Sequence, residues 1–156
     1  MSQLTGNYLK TLIRSRLALI TIISALLIAG IPISAQASAF TLVGSWHIVD
    51  DNSGALFLSS FNAGRTYTVA QPSNGTSEAH GVWKSIGIGS YKTTDFAFIY
   101  DANGNITHRQ KVRAKILLGA NGQSLKARLI IDILQLDGTI VQTINTTATG
   151  KRINVE

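Results

Sequence analysis

The chain has 156 residues, a formal net charge of +6 and no cysteine, which excludes a disulfide framework and cysteine-ligated metal sites. Three of its fourteen basic residues lie within residues 1–37 and all eight acidic residues follow, so the remaining 119 residues carry only +3. Because this charge is modest, it does not indicate a nucleic-acid partner.

The amino-terminal segment has the layout of a secretory signal peptide. Its basic head contains Lys10, Arg14 and Arg16. An uncharged, mostly apolar run over 17–33 follows and leads into Ala35-Gln36-Ala37, a small-x-small cleavage pattern. We therefore expect residues 1–37 to be removed and residues 38–156 to be exported, either to the periplasm or outside the cell. The alternative is a retained membrane anchor at 17–33.

After residue 40, β-branched and aromatic runs alternate with short turns rich in glycine, asparagine and aspartate. This pattern predicts eight strands, at 43–50, 54–61, 65–70, 79–86, 90–100, 105–118, 124–136 and 139–149. The connections are short, as in an antiparallel meander of sequential hairpins. No repeat or linker divides the segment, so we expect a single domain.

Two turns predict which side chains share a face. With Asn121-Gly122 as a two-residue turn, the alternating apolar residues of 112–118 lie opposite those of 125–131, and the charged residues collect on the other face. With Asp137-Gly138 as a similar turn, Gln142 lies opposite Ile133, and Ile140 lies opposite Gln135.

A third turn, at 101–104, predicts the position of three aromatic residues. A three-residue turn with Gly104 in the left-handed region pairs Asp101 with Asn105. The resulting face contains Phe96, Phe98, Tyr100, Ile106, His108 and Gln110, together with Val112. This register buries the aromatic rings, whereas a two-residue turn would expose them.

A sheet with one apolar face has to cover it, and no helix is predicted to do so. Eight meandering strands close most naturally as an antiparallel up-and-down barrel, which also removes the open edges. A two-sheet sandwich is the alternative. An eight-stranded barrel is either filled by its own side chains or holds one small ligand.

The two ends of the predicted domain resemble the lipocalins and the wider calycin group. Gly44-Ser45-Trp46 opens the first strand, and Arg152 follows the last. The resemblance implies a calycin-like barrel in which the tryptophan packs beneath the arginine and closes one end. It also implies an exported binding protein, although allene-oxide cyclases are barrel isomerases of similar shape.

The sequence favours an exported, non-enzymatic barrel that binds a small apolar or amphipathic molecule. The candidate ligand-binding residues are Phe96, Phe98, Tyr100, His108, Gln110, Leu129 and Ile131. Gly44, Trp46 and Arg152 are expected to be structural. A second hypothesis is a barrel isomerase or cyclase, with Tyr100, His108 and Asp95 as acid–base groups. A filled core in which His108 and Tyr100 find hydrogen-bond partners is the structural alternative.

A basic stripe is the clearest electrostatic feature of the predicted barrel. It contains Arg109, Lys111, Arg113, Lys115, Lys126 and Arg128. It is either a solvated outer face or a surface that attracts anionic lipid headgroups or acidic polysaccharide. A structural or surface-binding protein acting through this stripe is the third hypothesis.

No motif for a metal, a cofactor or a catalytic nucleophile is found. His47, His80 and His108 are far apart in the sequence, and no His-x-x-x-His pair occurs. No Gly-x-Ser-x-Gly motif, P-loop or dinucleotide fingerprint is present. We therefore expect neither a metal nor a cofactor.

Overall fold

The computed structural model describes residues 41–71 and 75–155. The predicted signal peptide lies outside the described residues. Within them the chain forms eight strands: β1 (Gly44–Asp50), β2 (Leu56–Phe61), β3 (Thr66–Ala70), β4 (Ala79–Gly87), β5 (Ser90–Tyr100), β6 (Ile106–Leu118), β7 (Ser124–Leu134) and β8 (Ile140–Arg152). Within residues 41–71 and 75–155, no helix is long and apolar enough to cross a bilayer.

Each strand pairs antiparallel with the next, and β1 also pairs with β8, which closes the sheet. At the closure Trp46 lies opposite Arg152, and Asp50 lies opposite Ala148. The predicted eight-stranded up-and-down barrel is confirmed, and the sandwich alternative is excluded. Alternate residues of each strand point inward, as the two-residue period of a strand requires.

One end of the barrel is closed by Trp46 and Arg152. The indole Nε1 donates a hydrogen bond to the Leu42 carbonyl at 2.9 Å, and the Arg152 guanidinium carbon lies 4.3 Å from the ring centre. The guanidinium also donates to the carbonyls of Thr41 and Val43, both at 2.6 Å, and to that of Gly122 at 3.0 Å. This contact is the one implied by the resemblance to calycins.

The register between β6 and β7 agrees with the prediction. Val112 lies opposite Ile131 and Leu118 lies opposite Leu125. The turn is wider than expected, since the backbone hydrogen bond that joins its two strands runs from the Gly119 amide to the Ser124 carbonyl at 2.8 Å. The pairing register is nevertheless the same, so the alternating apolar residues of both strands face the interior, and Leu117 and Ile130 face outward.

The predicted register between β5 and β6 is wrong over most of its length. The turn itself forms as expected, because the Asp101 amide donates to the Asn105 carbonyl at 2.9 Å. Immediately afterwards a β-bulge shifts the pairing by one residue. Phe96 therefore lies opposite Lys111 and Phe98 opposite Arg109, on the outer face, and both residues are 45% exposed.

The hairpin between β7 and β8 departs from the predicted register beside its turn and agrees with it further along the strands. The Gln135 amide donates to the Thr139 carbonyl at 2.8 Å, so the turn has three residues rather than two. Ile140 consequently lies opposite Leu134 instead of Gln135. A bulge then restores the expected register, and Gln142 lies opposite Ile133 as predicted.

Candidate ligand site inside the barrel

An interior cavity of about 100 Å³ lies among inward-facing side chains from seven of the eight strands. Its apolar wall contains Ile48, Phe57, Val69, Val112, Leu129, Ile131 and Ala148. Its polar lining consists of Asp50, Ser59, Gln71, Asp95 and Gln110. Since one water molecule occupies about 30 Å³ of liquid, the cavity has room for a few waters or one compact organic group.

Asp95 is placed on this wall by a cross-strand row of three residues. Tyr67 lies opposite Gly81, and Gly81 lies opposite Asp95. The tyrosine ring passes over the glycine, and its hydroxyl donates a hydrogen bond to the Asp95 carboxylate. A Cβ at Gly81 would lie 2.5 Å from Tyr67 Cε1 and 2.6 Å from Asp95 Cβ, so only glycine fits here.

Burial dominates the electrostatics of this pair. The Asp95 residue is 4% exposed, and desolvation raises the pKa of its carboxyl to about 6, while the Tyr67 hydrogen bond acts in the opposite direction. Burial and the nearby carboxylate raise the pKa of Tyr67, so its hydroxyl stays protonated. Phe61 stacks on Tyr67 with ring centres 4.7 Å apart and fixes the ring position.

The second carboxyl on the cavity wall, Asp50, is held by many hydrogen bonds. It accepts from the Asn52 and Ser53 amides at 3.1 and 2.8 Å, and from the hydroxyls of Ser53 and Thr146 at 2.8 Å each. Although burial opposes the charge, these donors hold the pKa of Asp50 below its ordinary value. For Asp95, by contrast, Tyr67 is the single hydrogen-bond partner within the described residues.

The structure brings together three of the seven sequence-predicted ligand residues. Gln110, Leu129 and Ile131 line the cavity. His108 and Tyr100 are half-buried, and within the described part of the chain neither makes a hydrogen bond to Asp95. Phe96 and Phe98 lie outside the barrel for the register reason given above. Ligand binding by any of the seven stays a prediction.

Two cavity features, Asp50 and the contact of Tyr67 with Asp95, are absent from the sequence-based site. The sequence assigns Asp95 a role only in the isomerase hypothesis. The signal that could have found the pair is Gly81, because a glycine inside a strand often marks the close approach of another group.

The basic stripe lies on the opposite, outer face of β6 and β7. Arg113 forms an ion pair with the buried carboxylate of Asp132 at 2.6 Å. Lys111 Nζ lies 5.6 Å from the ring centre of Phe96. The part of the chain that the structure describes contains no group of three or more histidine, aspartate or glutamate side chains arranged to hold a metal ion.

No protein-family model, curated protein or solved structure matches this chain. Its architecture, an eight-stranded closed barrel, is compatible with a calycin-like binding fold.

Proposed function

We propose that this protein is an exported binding protein that holds one small amphipathic molecule inside its barrel. The observation that carries the proposal is the Asp95 carboxyl, which is buried on the wall of an otherwise mostly apolar cavity and has one hydrogen-bond partner within the described residues. A buried carboxyl with so little compensation weakens a fold, and such costs concentrate at functional sites.

The walls supply the apolar part of the recognition. Ile48, Phe57 and Leu129 come from three different strands and face the same space. Burying the hydrocarbon part of a ligand there contributes about 25 cal/mol for each Å² removed from water. The cavity volume favours a compact ligand of only a few non-hydrogen atoms.

The charges on the lining supply the polar part. The ionisable side chains of the cavity are Asp50 and Asp95, and both are acids. Asp50 is already saturated by hydroxyl and amide donors, whereas Asp95 has capacity to accept further hydrogen bonds. The ligand's polar end is therefore a hydrogen-bond donor, and a protonated amine is the best match because it also pairs with the charge.

A barrel isomerase is the second candidate, and one observation favours it. The two cavity carboxyls have pKa values displaced in opposite directions, with Asp95 moved to about 6. An acid that titrates near neutrality can give or take a proton during turnover. In that case Asp95 is the acid–base group, with Tyr67 as its positioning residue.

Native mass spectrometry of the protein purified from its own host tests the proposal. We expect an extra mass that organic extraction removes. The Asp95→Asn variant should carry less of it, whereas Asp51→Asn, which changes an exposed carboxyl outside the cavity, should retain it. An extra mass kept equally by both variants would contradict the assignment of the site to Asp95. Identical bare masses for all three proteins would contradict the binding function.

A further inference from the structure

The turn between β4 and β5 presents apolar side chains to solvent at the tip of a hairpin. Ile88 is 91% exposed and Ile86 is 41% exposed. Leu117, which is 53% exposed, lies beside them because Ser90 pairs with Leu117 and the Leu118 amide donates to the Gly89 carbonyl at 2.8 Å. Large aliphatic side chains clustered at one tip, rather than scattered singly, mark an interaction surface.

A row of cations crosses the outer face next to this tip. Lys84 lies opposite Lys92, Lys92 opposite Lys115, and Lys115 opposite Arg128. Neighbouring strands are about 4.8 Å apart, so four like charges stand side by side, which weakens the sheet. Within residues 41–71 and 75–155, the one ion pair is Arg113–Asp132, so no carboxylate neutralises this row.

The surroundings of the row add more positive than negative charge. Lys126 lies opposite Leu117, and Arg65 lines the same outer groove as Lys84, Lys92, Lys115 and Arg128. The groove has a volume of about 750 Å³. Asp51 is the acid that lines the neighbouring recess together with Lys115 and Arg128, and it accepts hydrogen bonds from Thr147 and Thr149.

We propose that this end of the barrel docks on an anionic lipid bilayer. Ile88 is inserted below the headgroups, and the cation row of Lys84, Lys92, Lys115 and Arg128 is bound to lipid phosphates. The two features complement the two layers of a membrane surface. Aliphatic side chains enter the headgroup–acyl boundary, and lysines with long stems reach the phosphates beside them. This inference is independent of the ligand site inside the barrel.

The apolar tip decides between a bilayer and a soluble polyanion. An acidic polysaccharide would be attracted by the cation row, yet it would gain nothing from Ile86, Ile88 and Leu117. A bilayer uses both the charges and the aliphatic side chains. The observed combination therefore favours lipid.

Vesicle flotation with the protein purified from its host tests the docking. We expect binding to phosphatidylcholine vesicles that contain about 30% phosphatidylglycerol, little binding to phosphatidylcholine alone, and weakening by added salt. Lys84→Gln with Lys92→Gln should lower the affinity by about 25-fold, at about fivefold for each lysine. Lys111→Gln is the matched charge control and should have a smaller effect, because Lys111 lies outside the row and packs on Phe96.

A tryptophan reporter distinguishes insertion from electrostatic attraction. Ile88→Trp should shift its emission to shorter wavelength on anionic vesicles, whereas Leu136→Trp, at an exposed position in the β7–β8 turn, should not. Absence of binding to anionic vesicles would overturn the proposal. Binding that leaves the Ile88→Trp emission unchanged would also overturn it, and would indicate a polyanion site instead.

Discussion

The guanidinium of Arg152 lies against the backbone of Gly44, where a Cβ would sit 2.5 Å from Arg152 Nη1. Gly44 also has a φ of 129°, a conformation that residues with a side chain rarely adopt. The spacing of glycine and tryptophan in Gly44-Ser45-Trp46 thus has a physical cause. The glycine leaves room for the arginine, and the tryptophan two residues later receives it on the face of its ring.

We predict that Gly44→Ala lowers the free energy of unfolding by about 2–4 kcal/mol, through backbone strain and displacement of Arg152. Arg152→Lys should cost about 2–3 kcal/mol, because an ammonium cannot keep all three carbonyl hydrogen bonds and the ring contact together. Urea denaturation measures both. Lys151→Gln, a change at the exposed neighbour, should stay within about 0.5 kcal/mol of wild type. An Arg152→Lys variant as stable as that control would refute this role.

Gly81→Ala should disrupt the contact between Tyr67 and Asp95. The new Cβ would lie 2.5 Å from both the Tyr67 ring and the Thr94 carbonyl oxygen. We therefore expect the free energy of unfolding to fall by about 3 kcal/mol. Val82→Ala, at the exposed neighbouring position, should have little effect. If the ring is part of the clash, the cost of Gly81→Ala becomes smaller in a Tyr67→Leu background. Equal costs in the two backgrounds would contradict the crossing of ring and glycine.

The stability of the protein should fall between pH 4 and pH 7.5 through Asp95. Its folded pKa, about 6, lies above the ordinary aspartate value of 3.8, so the folded state holds this proton more tightly than the unfolded state does. The contribution of this proton to the free energy of unfolding is complete below pH 3.8 and is lost as pH rises through about 6. The free energy of unfolding of Asp95→Asn, relative to that of wild type, should therefore rise by about 2–3 kcal/mol between pH 4 and pH 7.5.

Carbon-13 NMR of the Asp95 carboxyl checks the same prediction at the residue itself. In Tyr67→Phe the hydrogen bond that favours the carboxylate is gone, so the pKa of Asp95 should rise further. A midpoint near 4 in the wild-type protein would show that the carboxyl is well solvated and would remove the reason to place a ligand's polar end beside it.

Arg65→Gly should stabilise the protein by about 1 kcal/mol. In the turn between β2 and β3 the left-handed residue is Arg65, with a φ of 64°, although the preceding residue is Gly64. Arg65→Ala removes the charge and keeps the strained conformation, so it should bring no such gain. Thermal unfolding compares the three proteins, and an equal gain in both variants would assign the effect to charge instead.

The strands and the barrel could be predicted because turn residues and alternation agree along most of the chain. The registers of two hairpins could not be read from their turns alone. Both Asp101–Asn105 and Gln135–Thr139 close three-residue turns, and both are followed by a bulge that moves the pairing by one residue. A bulge leaves little trace in the sequence, since its cost depends on the packing that it permits.

On β5 that packing favours the smaller inward residues near the cavity. Thr93, Asp95 and Ala97 face inward, and Tyr91 fills the closed end against Trp83, with ring centres 5.6 Å apart. The alternating residues that face outward on β5 include Phe96, which is covered in part by Lys111. The phenylalanines alone therefore predict the wrong face of β5 as the buried one.

The contact of Tyr67 with Asp95 could not be derived from the sequence for a different reason. It depends on the register between β3 and β4, which are joined by residues 71–78 rather than by a tight hairpin turn. No turn type fixes the pairing of Tyr67 with Gly81 in advance. Gly81 indicates that some group comes close, and the structure identifies the group.

NMR titration at pH 7.5 with cyclopentylamine and cyclopentanol tests the central claim most directly, since the two probes share a shape and differ in the charged donor. After organic extraction, the protein should bind the amine with a dissociation constant in the mM range, about −4 kcal/mol, with shifts centred on Asp95, Gln110 and Leu129. The alcohol should bind at least about tenfold more weakly, and Asp95→Asn should abolish the difference. Equal binding of both probes, or shifts confined to the outer face, would contradict a ligand site built on Asp95.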